Sequence, residues 1–170
     1  IARDVRGHLP KKLCGLLKEH FTGLLFAGEP GSGKTTLLRQ AAAELGRSGR
    51  STVVIDERGE LFPPEFGSAP PAVDVLAGVP KKEAIQMALR TLSPQVILLD
   101  ELGRLEEAAA LEQGFFGGGD FIASIHASAA DEAMRRPQVQ YLYKRGMLHA
   151  LVLLRGRNTP GQIREVKVIG

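Results

Sequence analysis

Residues 22–36 read TGLLFAGEPGSGKTT: an apolar run, a glycine-rich turn, and the opening of a helical pattern. "TGLLFA" (22–27) reads as a buried strand. Leu37, Leu38, Ala41 and Leu45 recur on one face of a helix predicted from Lys34 to about Leu45. Between them, "GEPGSGKTT" (28–36) matches G-x-x-x-x-G-K-[ST], and the flanking strand and helix turn a short pattern into an argument. Gly28, Gly31 and Gly33 allow backbone N–H groups to turn inward around phosphate oxygens, with Glu29, Pro30, Ser32 and Thr36 completing the loop. The positive end of the following helix favours the anion. Lys34 is placed to reach the β and γ phosphates, and Thr35 to put its hydroxyl on Mg2+. A flexible glycine turn is the bland alternative. The expectation is a nucleotide site taking ATP and Mg2+.

Outward from this loop, apolar strands alternate with helical patterns. "TVVID" (52–56), "QVILLD" (95–100) and "DFIASI" (120–125) read as buried strands, with helices over 81–92, 105–113, 129–135 and 139–145. Pro63-Pro64 and Pro70-Pro71 predict an irregular stretch through "ELFPPEFGSAPPAVD" (60–74). "LHALVLLRG" and "QIREVKVIG" read as two last strands, a hairpin around "RNTPGQ" (157–162). This alternation predicts an α/β, RecA-like P-loop fold, with a mainly parallel sheet covered by helices on both faces. Residues 1–170 are expected to form one P-loop ATPase domain, the C-terminal part of a longer protein.

Composition narrows the class. The 170 residues suffice for a sizeable core, and with 5% aromatics and no Trp that core rests on Leu, Ile, Val and Ala. A formal charge of +3 permits contact with nucleic acid or an anionic membrane without arguing for either. Lysines and arginines are spread out rather than gathered into a patch, so nucleic acid is not favoured as a partner. The pairs Lys81-Lys82 and Arg135-Arg136 read as solvated faces. A single cysteine, Cys14, excludes an intramolecular disulfide and reads as a small buried filler. No apolar run approaches the ~20 residues that span a bilayer. A cytoplasmic location is expected.

Three further clusters carry chemistry. "VILLDE" (96–101) delivers Asp100 on a buried strand beside the phosphate loop as the partner of Mg2+. The adjacent Glu101 can orient and deprotonate a water attacking the γ-phosphate. The pair points to an ATPase of the RecA-like or AAA-like branch, against two solvated acids at a strand end. "VVIDERGE" (53–60) places Asp56, Glu57 and Glu60 at another strand end, where ligands of open α/β sheets gather. They are candidates to tune Mg2+ or position water, and Arg58 to reach a phosphate in its own or a neighbouring subunit. His126 ends the next strand and can donate to the γ-phosphate or to Glu101 as a nucleotide sensor. Arg104 is a candidate for the same role or for a finger between subunits.

The segments "GEPGSGKTTLLRQ", "VVIDERGEL", "DVLAGVPKKEAIQMALRTLSPQVILLDELGR", "FIASIHA" and "RRP" occur in an order that resembles the stage III sporulation protein AA family. Those ATPases are related to the type II and type IV secretion ATPases. The resemblance runs from about Arg3 to the C-terminus. It implies that Gly28–Thr35 form a Walker A loop and that Asp100-Glu101 form Walker B with its catalytic glutamate. "DERGE" resembles the acidic box of secretion ATPases, and His126 their histidine box. It also implies a homo-oligomer, a hexameric ring on the mother-cell side of a channel to the forespore. Such a ring sits at the inner membrane face through membrane-embedded partners. The family's ring-building N-terminal domain is not part of this sequence, and Leu61–Val73 is shorter and richer in proline than its counterpart. Two rivals remain open: a nucleic-acid-associated P-loop ATPase and a nucleotide-gated scaffold. An ABC-type transporter ATPase would need an LSGGQ-like signature, which "ALRTLSPQ" is not.

Overall fold

The computed structural model describes residues 9–170; Arg3, where the resemblance begins, lies outside the described residues. In chain order the elements are α1 (Lys11–Leu17), β1 (Gly23–Gly28), α2 (Lys34–Arg47), β2 (Thr52–Asp56) and β3 (Val73–Ala77). They continue with α3 (Lys81–Thr91), β4 (Val96–Leu99), α4 (Leu105–Phe116), β5 (Asp120–His126), α5 (Ala130–Arg135), α6 (Pro137–Lys144), β6 (Ala150–Leu154) and β7 (Ile163–Val168). The seven strands form one sheet in the order β3-β2-β4-β5-β1-β6-β7. All neighbours pair in parallel except β6 and β7, which close as the expected antiparallel hairpin.

The central strands are buried on both faces, which is why they read as continuous apolar runs rather than alternating ones. Alternate residues nevertheless feed two separate cores. Leu24, Phe26, Val54, Leu98, Ile122 and Val152 pack beneath α1 and α2, against Leu13, Leu17, Leu37, Leu38, Ala41 and Leu45. Leu25, Val53, Ile97, Leu99, Ala123 and Leu151 face the other way, against Ala84, Ile85 and Ala88 of α3, Ala108 and Leu111 of α4, and Val139 and Leu142 of α6. Cys14 is half-buried against the first core, and its thiol donates to the Leu9 carbonyl at 3.4 Å.

The proline-rich stretch departs from expectation at both ends. Pro64–Phe66 form a short 3-10 turn, and Val73 begins β3, which pairs with β2 from Thr52↔Val73 to Asp56↔Ala77. An edge strand needs a partner on one side only, so β3 forms despite Pro70 and Pro71 just before it. At the amino ends of the strands, the buried Asp120 carboxylate accepts from the Thr22 N–H at 3.1 Å and meets His20 Nδ1 and Arg50 Nη2, each at 2.7 Å. That cluster closes the sheet edge away from the phosphate loop. Because β1, β2, β4 and β5 are parallel, their carboxyl ends share the opposite edge.

Candidate nucleotide site

Sheet order assembles the site. The sequence suggests that Asp100 sits beside the phosphate loop; in the structure β5 lies between β4 and β1. Gly28 of β1 pairs with His126 of β5, and Leu99 of β4 with Ala123. His126 is therefore flanked by the phosphate loop on one side and Asp100-Glu101 on the other. A cavity of about 840 Å3 opens above this edge, lined by Pro30, Gly31 and Gly33–Thr36 from the loop, with Asp100, Glu101 and His126.

The loop has the conformation that its glycines allow. Gly31 and Gly33 adopt φ of 81° and 93°, a region costly to any residue with a Cβ. A Cβ on Gly33 would also stand 2.3 Å from the backbone nitrogen of Gly161, in the turn between β6 and β7. The Gly161 N–H donates to the Ser32 carbonyl at 2.7 Å, so this hairpin seals one side of the loop. Gly28, Glu29 and Ser32 do not line the cavity and shape the loop from behind. Leu37 N–H donates to Gly33 O as the first helical bond of α2. The N–H groups before it lack an acceptor one turn back and are available to an anion.

Lys34 is buried, and burial pushes its ammonium below the ordinary lysine value against the pull of Asp100, Glu101 and Glu29. It donates to the carbonyls of Gly28 at 2.8 Å and Glu29 at 2.9 Å, and approaches His126 Nδ1 at 3.2 Å. On the other side of the ring, His126 Nε2 is 3.4 Å from Glu101 Oε2. Ser124, on the same strand, donates to Asp100 Oδ1 at 3.0 Å and accepts the Glu101 N–H at 2.9 Å. Glu101 itself has φ of 29°, a left-handed backbone that costs a non-glycine residue roughly 1–2 kcal/mol.

The acidic segment behaves differently from expectation. Asp56 is buried and spent on the chain: its carboxylate accepts the N–H groups of Glu60, Leu61 and Phe62 at 2.9–3.1 Å. Arg39 of α2 grips the same loop through the Leu61 and Glu60 carbonyls and lies 5.1 Å above the Phe66 ring. Burial lowers its guanidinium pKa, with Asp100 and Asp56 opposing. Arg58 and Glu60 thereby reach the cavity wall, but Glu57 does not; it is exposed on the turn closed by Gly59 N–H to Asp56 O at 3.1 Å. Arg104 is also exposed and off the cavity, at the head of α4, where its N–H donates to Glu107.

Two of the basic residues expected on solvated faces touch this edge. Lys81 Nζ donates to the Glu101 carbonyl at 2.7 Å, and Arg136 Nη2 to the His126 carbonyl at 3.1 Å. Lys82 and Arg135 are exposed as expected. Sequence reasoning missed Ser124, Arg39 and the Pro160-Gly161 turn as parts of the site. Ser124, a hydroxyl inside an otherwise apolar strand, carried a usable signal; the other two are brought in by tertiary packing.

The donor set fits Mg·ATP. Lys34 brings three donors to the cavity edge, on the Gly28 and Glu29 carbonyls and against His126 Nδ1, with Thr35 and Asp100 lining the same cavity. Among the described residues no group of three or more His, Cys, Asp or Glu converges as a metal cage. Mg2+ bound with phosphates needs only one or two protein oxygens and keeps several waters, and the cavity offers the two candidates Thr35 and Asp100.

Known proteins agree with this architecture. Over 179 aligned residues the chain is 31% identical to stage III sporulation protein AA of Bacillus subtilis (strain 168), covering 98% of this chain and 57% of that protein. It therefore spans less than two thirds of that relative's length. The fold is similar to that of the ATPase DotB of Legionella pneumophila, with a TM-score of 0.73 and 19% identity over 91% of this chain and 46% of that one. It is also similar to the pilus retraction motor PilT with bound ADP, with a TM-score of 0.69 and 18% identity over 90% and 48% of the two chains. The family model described as sporulation stage III, protein AA, matches residues 4–168, and the chain belongs to that family.

Proposed function

We propose that this chain is the ATPase core of a secretion-type ring motor, in which water activated by Glu101 cleaves the β–γ bond of ATP. The observation carrying the reading is the Lys34–His126–Glu101 series at the lip of the phosphate loop, which joins a phosphate-binding cation to a water-activating carboxylate. The loop N–H groups and Lys34 bind and orient the triphosphate. Thr35 and Asp100 would hold Mg2+, which when bound neutralises charge on the phosphate oxygens. Asp100 is itself held by the Ser124 hydroxyl, so its carboxylate is fixed before nucleotide arrives. Glu101 takes the proton of the attacking water, and His126 orients the Glu101 carboxylate while Lys34 is engaged elsewhere.

The relatives' printed names, a sporulation protein, an ATPase and a pilus motor, support a motor role linked to sporulation; the proposed setting is an export or channel assembly between mother cell and forespore. A hexameric homo-oligomer acting from the cytoplasmic face of a membrane through embedded partners is the assembly this reading entails. Among the described residues, no helix is long and apolar enough to cross a membrane. The test is calorimetry on Lys34→Ala. The loop loses the one side-chain cation directed at the β and γ phosphates, so ATP affinity should fall by on the order of 10²-fold or more. Affinity within a few-fold of wild type would sink the phosphate-loop assignment.

A further inference from the structure

Glu101 is held in an unusual way. Its φ of 29° lies in the left-handed region, where a side chain with a Cβ does not rest unless neighbours hold it. Both polar groups of the residue's backbone are held by side chains of other elements, with the neighbouring Asp100 Oδ1 also accepting the N–H at 3.1 Å. The Ser124 hydroxyl of β5 accepts its N–H at 2.9 Å, and the Lys81 ammonium donates to its carbonyl at 2.7 Å. Lys81 is the first residue of α3, which is anchored in the core by Ala84, Ile85 and Ala88. The ammonium thus reaches Glu101 from a fixed helix end.

Lys81 does not line the nucleotide cavity, whereas Glu101 does. Its contact is with the peptide and not with any position a phosphate can take. Resting on the proposed ATPase reading, we propose that Lys81 is a positioning residue: it holds the Glu101 backbone in the left-handed conformation that aims the carboxylate at His126 and the attacking water. Without that donor the Glu101 carbonyl loses a charge-assisted bond, which is stronger than a neutral one. The peptide then relaxes toward ordinary negative φ and swings the carboxylate away from its line of attack. Nucleotide affinity, which on this reading rests mainly on the loop N–H groups and Lys34, should change little.

The experiment is a mutant cycle on the full-length protein, with steady-state ATP hydrolysis, ATP affinity and thermal melting read together. A displacement of about 1 Å in a catalytic group costs on the order of 10²-fold in rate, so Lys81→Met should lower kcat roughly 10- to 100-fold. KM and Kd for ATP should stay within about threefold, because uniform binding is not altered. Lys81→Arg, which keeps a cationic donor, should restore most of the rate. In the Glu101→Gln background Lys81→Met should cost nothing further, because two residues acting as one unit are not additive. Lys81 is only half-buried, so the fold should survive; if the Met variant melts early, Lys81→Leu, which also lacks a donor, carries the same comparison.

The outcomes separate the two ideas. If Glu101→Gln hydrolyses ATP like wild type, the water-activation reading falls and the Lys81 proposal with it. If Glu101→Gln is inactive while Lys81→Met keeps full kcat, the Lys81 proposal fails alone. It also fails if Lys81→Met lowers the residual rate of Glu101→Gln by the same factor as in wild type, or raises KM without changing kcat.

Discussion

The Lys34 ammonium stands against Nδ1 of His126. An ammonium has three protons and no acceptor. Two protons of Lys34 go to the carbonyls of Gly28 and Glu29, and the third points at His126 Nδ1 from 3.2 Å. With that ammonium as donor, Nδ1 is the acceptor and the ring turns Nε2 toward Glu101 Oε2 at 3.4 Å. In this arrangement the imidazole restrains both partners. On the proposed ATPase reading, a γ-phosphate would draw Lys34 toward itself, releasing Nδ1 and letting the ring reorient. His126→Ala should then slow hydrolysis on the order of 10²-fold while leaving ATP affinity within a few-fold of wild type. Paired turnover and calorimetry would decide it; normal turnover with reduced thermal stability would make His126 a packing residue only.

Glu101→Gln preserves shape and removes the proton acceptor. ATP binding should persist, and kcat should fall by on the order of 10²–10⁴-fold. Single-turnover hydrolysis with nucleotide in hand separates this from a binding defect. A rate close to wild type in the same assembly state removes Glu101 from its role.

Gly33→Ala combines a left-handed φ of 93° with a Cβ 2.3 Å from the Gly161 nitrogen. Either the loop or the β6–β7 turn has to move, at a cost of about 1–3 kcal/mol. The measurable result should be a lower melting temperature together with loss of the stabilisation that ATP normally adds. Full ATP-induced stabilisation in this variant would contradict the packing described here.

Asp56→Asn tests whether the acidic segment is structural. One carboxylate serves three backbone N–H groups, and an amide offers a single acceptor oxygen and turns two donors into the same space. The expected loss is roughly 2–3 kcal/mol in urea unfolding, with hydrolysis per folded molecule little changed. A large fall in kcat without a fall in stability would return Asp56 to the metal or the water.

Specific activity per subunit should rise with protein concentration. A cation supplied in trans is worth about 10³-fold or more in phosphoryl transfer. Arg58 lines its own cavity, whereas Arg104 stands exposed outside it, which makes Arg104 the stronger candidate to serve a neighbour. Light scattering alongside an ATPase assay would show it, and brisk turnover by a strict monomer at every concentration would overturn the ring reading.

The features legible in the sequence are those whose causes are local. Gly28 to Thr36 announce themselves because the loop, its glycines and its flanking elements are contiguous, and His126 because an ionisable ring ends an apolar strand. Strand β3 was hidden by Pro63-Pro64 and Pro70-Pro71, since only pairing with β2 makes an extended edge segment stable. The insertion of β5 between β4 and β1 is a matter of spatial order that no run of letters carries, and it decides that His126 touches both Lys34 and Glu101. Lys81 and Arg136 looked like solvated charges because their partners are backbone carbonyls of distant residues. Glu57 and Glu60 follow the same strand end, yet only Glu60 lines the cavity, because the turn after Asp56 comes between them.

The same sheet order has a consequence for how the chain is made on the ribosome. Among the described strands β1 is the first to be translated, but its two neighbours, β5 and β6, follow long after it. Its strand partners thus come late, whereas β2, β3 and β4 are neighbours both in the sheet and along the chain. The strand that carries the phosphate loop is thus among the last to be enclosed. Holding such a segment exposed favours capture by chaperones and misassociation between nascent chains. Native pairing of β1 also demands closure over long sequence distances, which slows folding. Nucleotide competence should accordingly appear late and abruptly during synthesis, only after β6 has cleared the exit tunnel.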